Sequence, residues 1–150
     1  MTVTKKQAAK KNAKTAGKKN TTSDISLQKK VISIVNKNRK KKGLEALTMD
    51  EKLMKAAQDR AKELTKSFSH TRPNGTSCFT IFEKYKITPM ASGENIAAGQ
   101  RSAADVMDSW MNSQGHKENI MNNRFKKIGV GLVIVPNDMY SYYWVQMFTE

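Results

Sequence analysis

Apolar residues first recur with regular spacing in ISLQKKVISIVNKNRKKK, residues 25–42. Leu27, Val31, Ile34, Val35 and Asn38 fall three or four apart, so one helical stripe meets a core and the opposite side carries lysines. Ser23 or Asp24 can cap the start, the cations suit the dipole at the end, and Gly43 can stop the helix. TMDE at 48–51 has the spacing of a capping box, in which Thr48 and Glu51 satisfy each other's backbone amides. The helix it opens places Leu53, Ala56, Ala57, Ala61 and Leu64 on one side, where the alanines permit close approach of another element.

RPNG at 72–75 has the residue order of a tight turn. SCFTIFEKYK at 77–86 reads as a short helix with Phe79 and Phe82 inward. SGENIAAG at 92–99 is bounded by glycines and too short for a helix, so it is extended. Ser102 can cap SAADVMDSWMN, whose apolar side is Val106, Met107 and Trp110. KKIGVGLVIV and YSYYWVQMFT read as two strands joined by a turn at Pro136, Asn137 and Asp138. Trp110, Trp144, Tyr142 and Tyr143 step as packing residues should. Helices first and a hairpin last predict an α+β domain, with helices packed on an antiparallel sheet.

Composition divides the 150 residues in two. Residues 1–23 hold seven lysines, one Val and no Leu, Ile or aromatic residue. Such a segment lacks the apolar surface to offset its ordering entropy, so it is expected to be a Lys-rich flexible tail ahead of a domain at 24–150. The net charge of +14 comes partly from this tail and partly from KNRKKKG at 37–43. It predicts attraction to polyanions, with a merely solubilising tail as the plain alternative. No apolar run approaches the ~20 residues of a membrane span. The tail also lacks the apolar core of a secretory signal, so either export does not use that route or the chain starts after a cleavage site. Cys78 is the only cysteine. It forms no internal disulfide and, beside Phe79, reads as a small apolar filler ahead of a reactive thiol.

The candidate chemistry rests on two histidines and a carboxylate. His70 follows the second helix in SFSHTRPNG, Glu94 opens the extended segment, and His116 follows the next helix in WMNSQGHKENI. Their separations exceed one helix face, so only the fold can gather them. Gathered, they offer three ligands to a borderline cation such as zinc, with one position left open. Without a metal, the same groups suit acid–base work near neutral pH. Ser113 and His116, three apart, have the spacing of a nucleophile and base, but no third orienting group or oxyanion loop accompanies them. Asn119 and Asn95 are expected to brace the loops around His116 and Glu94.

SHTRPNG, GENIAAG, WMNSQGHKENIM and FKKIGVG, in this order, resemble the CAP superfamily of cysteine-rich secretory, antigen 5 and pathogenesis-related proteins. The nearest likeness is to its bacterial, disulfide-free, SCP-like branch. NKNRKKKGLEAL and YYWVQMFT extend the resemblance from about Ile25 to the C-terminus. It implies an α-β-α sandwich in which helices flank a small antiparallel sheet. It also implies a surface cleft of two His and two Glu that can hold a divalent cation, zinc first among them. By motif, His70, Glu94 and His116 take three of those four places. The second glutamate normally lies three residues after the tryptophan, which here is Ser113, so the tetrad is one carboxylate short.

The resemblance implies an extracellular or cell-surface protein acting as a binding or interaction module. The basic tail would tether it to lipid or to an anionic wall or membrane polymer. A metal-assisted hydrolase using His70, Glu94 and His116 is the alternative. Nucleic-acid binding comes last, since it rests on charge alone and no finger, RRM or helix-turn-helix pattern is present.

Overall fold

The computed structural model describes residues 24–150; the Lys-rich tail expected over residues 1–23 lies outside the described residues. Helix α1 runs Ser26–Lys41. Its N-cap is Ile25, which has no side-chain bond to the first turn, and the preceding Asp24 accepts from the Ser26 amide through Oδ1 at 2.9 Å. Gly43, at φ +75°, ends it with a bond from its amide to the Lys40 carbonyl. Val31, Ile32 and Val35 are its buried apolar residues, and Leu27 and Ile34 pack only partly against the core. The buried stripe also includes Arg39, discussed below.

The expected capping box does not form. Thr48–Met49 is a short strand, β1, whose backbone joins the sheet through the Thr48 amide and the Lys126 carbonyl, 2.8 Å apart. Asp50 instead caps α2, Glu51–Leu64, its carboxylate accepting from the Leu53 amide at 2.9 Å. An aspartate adjacent to the helix satisfies the same orphan donors that Thr48 was expected to reach. A 3-10 helix, Cys78–Tyr85, follows the RPNG turn. It buries Cys78, Ile81 and Phe82, whereas Phe79, expected inward, stays half-buried. The tighter winding of a 3-10 helix places residues three apart on one side, which pairs Cys78 with Ile81.

Strand β2 is Ser92–Ala98, α3 is Ala103–Met111 with Ser102 as its cap, and α4 is Gln114–Ile120. Strands β3, Lys127–Ile134, and β4, Tyr142–Thr149, form the expected hairpin. The sheet order is β1-β3-β4-β2, antiparallel throughout except for the β1–β3 pair. Side chains of alternate parity fill its two faces. Ile96, Tyr143, Val145 and Met147 pack under α2 and the 3-10 helix. Ala97, Ile128, Val130, Trp144 and Phe148 pack under α1, α3 and α4. The layers are therefore α-β-α, as the resemblance implies.

Two glycines set the spacing of α2 on the sheet. A Cβ built on Gly129 would lie 2.2 Å from the Leu53 carbonyl carbon, and one on Gly131 would lie 2.3 Å from the Ala57 oxygen. The helix backbone thus rests directly on β3, with Ala56, Ala57 and Ala61 fully buried. This is the close approach that the alanine side of α2 predicts.

A candidate cleft built on a clamped glutamate

Three segments meet at the β2 edge of the sheet. Helix α2 supplies Arg60 and Glu63. The connection after it turns back on itself: the Gly75 amide bonds the Arg72 carbonyl, Thr71 and Ser77 form a β-bridge, and the Cys78 amide bonds the His70 carbonyl at 2.9 Å. The RPNG turn thereby ties His70 and Cys78 side by side. Strand β2 supplies Glu94 on the face beneath α2.

Glu94 is held on both oxygens. Its Oε2 accepts from Arg60 Nε at 2.7 Å, and its Oε1 accepts from Arg60 Nη2 at a longer 3.3 Å. His70 Nδ1 lies 2.7 Å from the same Oε1. The Arg60 and Glu94 side chains are 0% and 1% exposed, while that of His70 is 56% exposed. Arg60 continues outward, donating Nη1 to Glu63 Oε1 at 2.8 Å and Nη2 to the Ser69 carbonyl at 2.7 Å. Arg72 donates to both Glu63 oxygens and to Thr80 Oγ1. Two arginines and two glutamates thus form one network of matched charge. Burial alone would push the Glu63 carboxyl up, but the Arg72 and Arg60 hydrogen bonds outweigh it and hold it below the usual range. Burial likewise opposes the Arg60 charge, and the Glu94 and Glu63 partners more than compensate.

Against a carboxylate oxygen, which accepts, His70 Nδ1 is the donor, and in the neutral tautomer this selects, Nε2 keeps a bare lone pair. A carboxylate that fixes an imidazole in this way sets which nitrogen can accept a proton or bind a ligand.

His116 lies in α4, not in a loop after the preceding helix. Its carbonyl accepts from Asn95 Nδ2 at 3.0 Å, and its ring Nδ1 is buried with no partner among the described residues. Burial first, and the charge of His70 second, hold its imidazolium below the ordinary value. The two imidazoles therefore lie within electrostatic reach of each other. Asn119 donates to the Glu94 carbonyl at 3.3 Å and to Asn95 Oδ1 at 2.8 Å, and Asn95 also donates to Gln146 Oε1. These two amides join α4 to β2. Gly93 leaves room for them, since a Cβ there would come within 2.9 Å of Asn119 Oδ1. Ser113 precedes α4 without a side-chain bond to its first turn, and among the described residues no hydrogen bond joins it to His116.

A surface hollow of about 450 Å³ opens over this site, lined by His70, Cys78, Phe79, Ser92, Glu94 and Asn119 among others. The structure thus gathers His70 and Glu94 at one opening, with Asn119 on its wall. Of the three ligands expected for a cation, His70 and Glu94 line the hollow and His116 is not among its lining residues. Arg60 bonds both Glu94 oxygens, Oε1 by the longer contact, and the ligand atoms that converge within 4.8 Å belong to His70, Glu94 and Cys78.

Arg60, Glu63 and Arg72 escaped the reading of the sequence as site residues, and Cys78 was read there only as an apolar filler. One signal for Arg60 was present: it interrupts the alanine side of α2, three residues after Ala57. A cation at a core-facing position requires a buried partner. The partner, Glu94, lies 34 residues away, and spacing alone gives no access to it.

Comparison with known proteins agrees with this geometry. The family model described as CAP, cysteine-rich secretory protein family, matches residues 32–148. YkwD of Bacillus subtilis is 39% identical over 132 residues, covering 83% of this chain and 51% of its own length. The chain thus spans about half of that relative, and 31% of the B. subtilis membrane protein YlbC, to which it is 27% identical. An outer surface protein of Borrelia burgdorferi superposes with a TM-score of 0.76 at 28% identity, over 85% of this chain and 95% of that one. An SCP-domain extracellular protein of Bacillus anthracis does so with a TM-score of 0.72 at 26% identity, over 81% of this chain and 39% of that one. Four ordered motifs, an α-β-α sandwich and an edge cleft converge on one assignment: the chain belongs to the CAP family, in its bacterial SCP-like branch.

Proposed function

We propose that this chain is an extracellular or cell-surface binding module, with the His70–Glu94 hollow as its recognition site. The observation that carries this reading is the clamp on Glu94. A carboxylate fixed by a fully buried arginine is a poor mobile base, but it holds an imidazole rigidly at the mouth of a hollow. Rigid presentation of one polar group beside apolar surface, here Phe79, is what a ligand site needs. The location draws on the relatives described as an extracellular protein and an outer surface protein. No helix among the described residues is long and apolar enough to cross a membrane. Association with anionic lipid or wall polymer would then rest on the exposed Lys37, Lys40, Lys41 and Lys42 and on the charge that residues 1–23 carry in sequence.

The test is a solution NMR titration of the full chain with anionic vesicles and with a phosphate-bearing wall polymer. Resonances of His70, Phe79 and Ser92 should shift, and His70→Ala should abolish that response while leaving surface association intact. Association itself should disappear near ~0.5 M salt, where the screening length is roughly 4 Å. Shifts confined to the lysines of α1 would remove the hollow from the account. Association unchanged at high salt would remove the electrostatic tether.

The hydrolase alternative draws on one observation, the carboxylate-held imidazole with a bare Nε2. It predicts zinc-dependent turnover of ester or peptide substrates that His70→Ala abolishes, whereas a binding module shows no turnover in either form.

A further inference from the structure

The cysteine of this chain stands where the cleft needs a third ligand. Ligand atoms of His70, Cys78 and Glu94 all lie within 4.8 Å of one another. The three do not converge by chance of surface crowding, because a backbone bond of the turn fixes two of them and a buried arginine fixes the third. The Cys78 amide is bonded to the His70 carbonyl at 2.9 Å, and Thr71 pairs with Ser77 just above, so the turn holds the two side chains together. Glu94 is fixed by Arg60 through Oε2, which leaves Oε1 with a 3.3 Å contact to Arg60 and the bond to His70. All three residues line the same 450 Å³ hollow, His70 as its exposed member and Cys78 and Glu94 as buried ones.

We propose that His70, Cys78 and Glu94 form a sulfur–nitrogen–oxygen site for a thiophilic divalent cation such as zinc. The inference rests on reading the hollow as a binding site. It assigns the third ligand to Cys78 in place of His116 or the absent second glutamate. Zinc bonds of about 2.0–2.3 Å in a tetrahedron set neighbouring ligand atoms roughly 3.3–3.6 Å apart. The His70–Glu94 contact must therefore open slightly and Cys78 must close, movements on the scale of a side-chain torsion. His70, more than half exposed, has room to give.

Charge favours a sulfur ligand here. The Glu94 carboxylate is already matched by the Arg60 guanidinium, so the pair offers an incoming cation little net charge. Cys78 supplies it: the thiol proton leaves to bulk water as the sulfur–metal bond forms. His70 coordinates as the neutral ring through Nδ1, the atom that faces Glu94 in the metal-free chain, and its proton passes through water to Nε2 as the contact to Glu94 opens. Glu94 Oε1 is the third ligand and water the fourth. A thiolate in the set selects zinc, cadmium or cobalt over magnesium and calcium.

Cobalt(II) added anaerobically to the full chain reads this directly, since a thiolate ligand produces a sulfur-to-cobalt charge-transfer band in the near ultraviolet. The band should appear in the wild-type chain at one equivalent, be displaced by zinc, and survive His116→Ala. It should vanish in Cys78→Ser and in His70→Ala, with circular dichroism reporting that both variants fold. Failure of the wild-type chain to bind cobalt overturns the proposal. So does cobalt bound without the band, or a band that persists in Cys78→Ser. None of these outcomes touches the vesicle titration, so the binding-module reading stands or falls separately.

Discussion

Arg60 is the residue on which the cleft depends. Its guanidinium satisfies both oxygens of a carboxylate that is itself out of water, and removing one member of such a pair leaves the other charged and buried. Arg60→Ala should therefore lower stability by about 3–5 kcal/mol, measured by denaturant unfolding. The double variant Arg60→Met/Glu94→Gln should recover much of that loss, because it leaves no uncompensated charge. His116 gives a second, pH-dependent consequence. Its folded-state affinity for a proton is held below the ordinary value of 6.5, first by burial and then by His70. The unfolded chain therefore takes up that proton before the folded chain does. This source of destabilisation is absent above pH 6.5. It grows as pH falls through that value and levels off once the folded imidazole is also protonated. Unfolding free energies measured down to about pH 5 should show this decline, and His116→Gln should flatten it. Cys78 behaves differently: burial, and after it the charge of Glu94, push the thiol up to about 12. A thiol held protonated in this way is a poor nucleophile until a cation displaces its proton.

Among the elements, α2 does two jobs at once. Its alanine side lies against β3, and Gln58 bonds the Leu132 amide and carbonyl, so side chains cover a stretch of β3 edge that β1 is too short to reach. The cost of crowding this contact should be large. Gly129→Ala or Gly131→Ala puts a methyl group into the backbone of Leu53 or Ala57, contacts that a flexible side chain cannot relieve. Each should destabilise by at least about 1–3 kcal/mol in thermal or denaturant unfolding. The glycines of IGVG are thereby explained by packing, not by turns. Arg39 plays the matching role on the opposite layer. Fully buried, it donates to the carbonyls of Glu45, Ile120, Asn122 and, at 3.4 Å, Phe125. It thus seats the end of α4, the helix that carries His116 and Asn119. Elements with strong periodicity, α1, α2, α3 and the β3–β4 hairpin, were legible in the sequence. The start of α2 was misread because Thr48 and Asp50 are both good caps, and only pairing with Lys126 shows which one the sheet claims. The helix around His116 was missed because seven residues give too short a period to register.

At the scale of the molecule, the ordered motifs carried the family and the layer architecture, since each motif answers to a packing or hydrogen-bonding requirement. Gly93 makes room for Asn119, Glu94 turns toward α2, and Asn95 turns toward α4. The wiring between them was not legible. The partner of Glu94 lies on another element, and whether a carboxylate is a free ligand or a clamped one depends on that partner. The central claim is that Glu94, clamped by Arg60, fixes His70 with its proton on Nδ1 and a bare Nε2. Long-range proton–nitrogen NMR of the His70 ring, recorded well above the imidazole titration range without added metal, reads this tautomer directly. The account predicts a protonated Nδ1 and an unprotonated Nε2 in the wild-type chain, reverting to the mixture of a free imidazole in Glu94→Gln. A proton on Nε2 in the wild-type ring, or a tautomer mixture indifferent to Glu94, would contradict it.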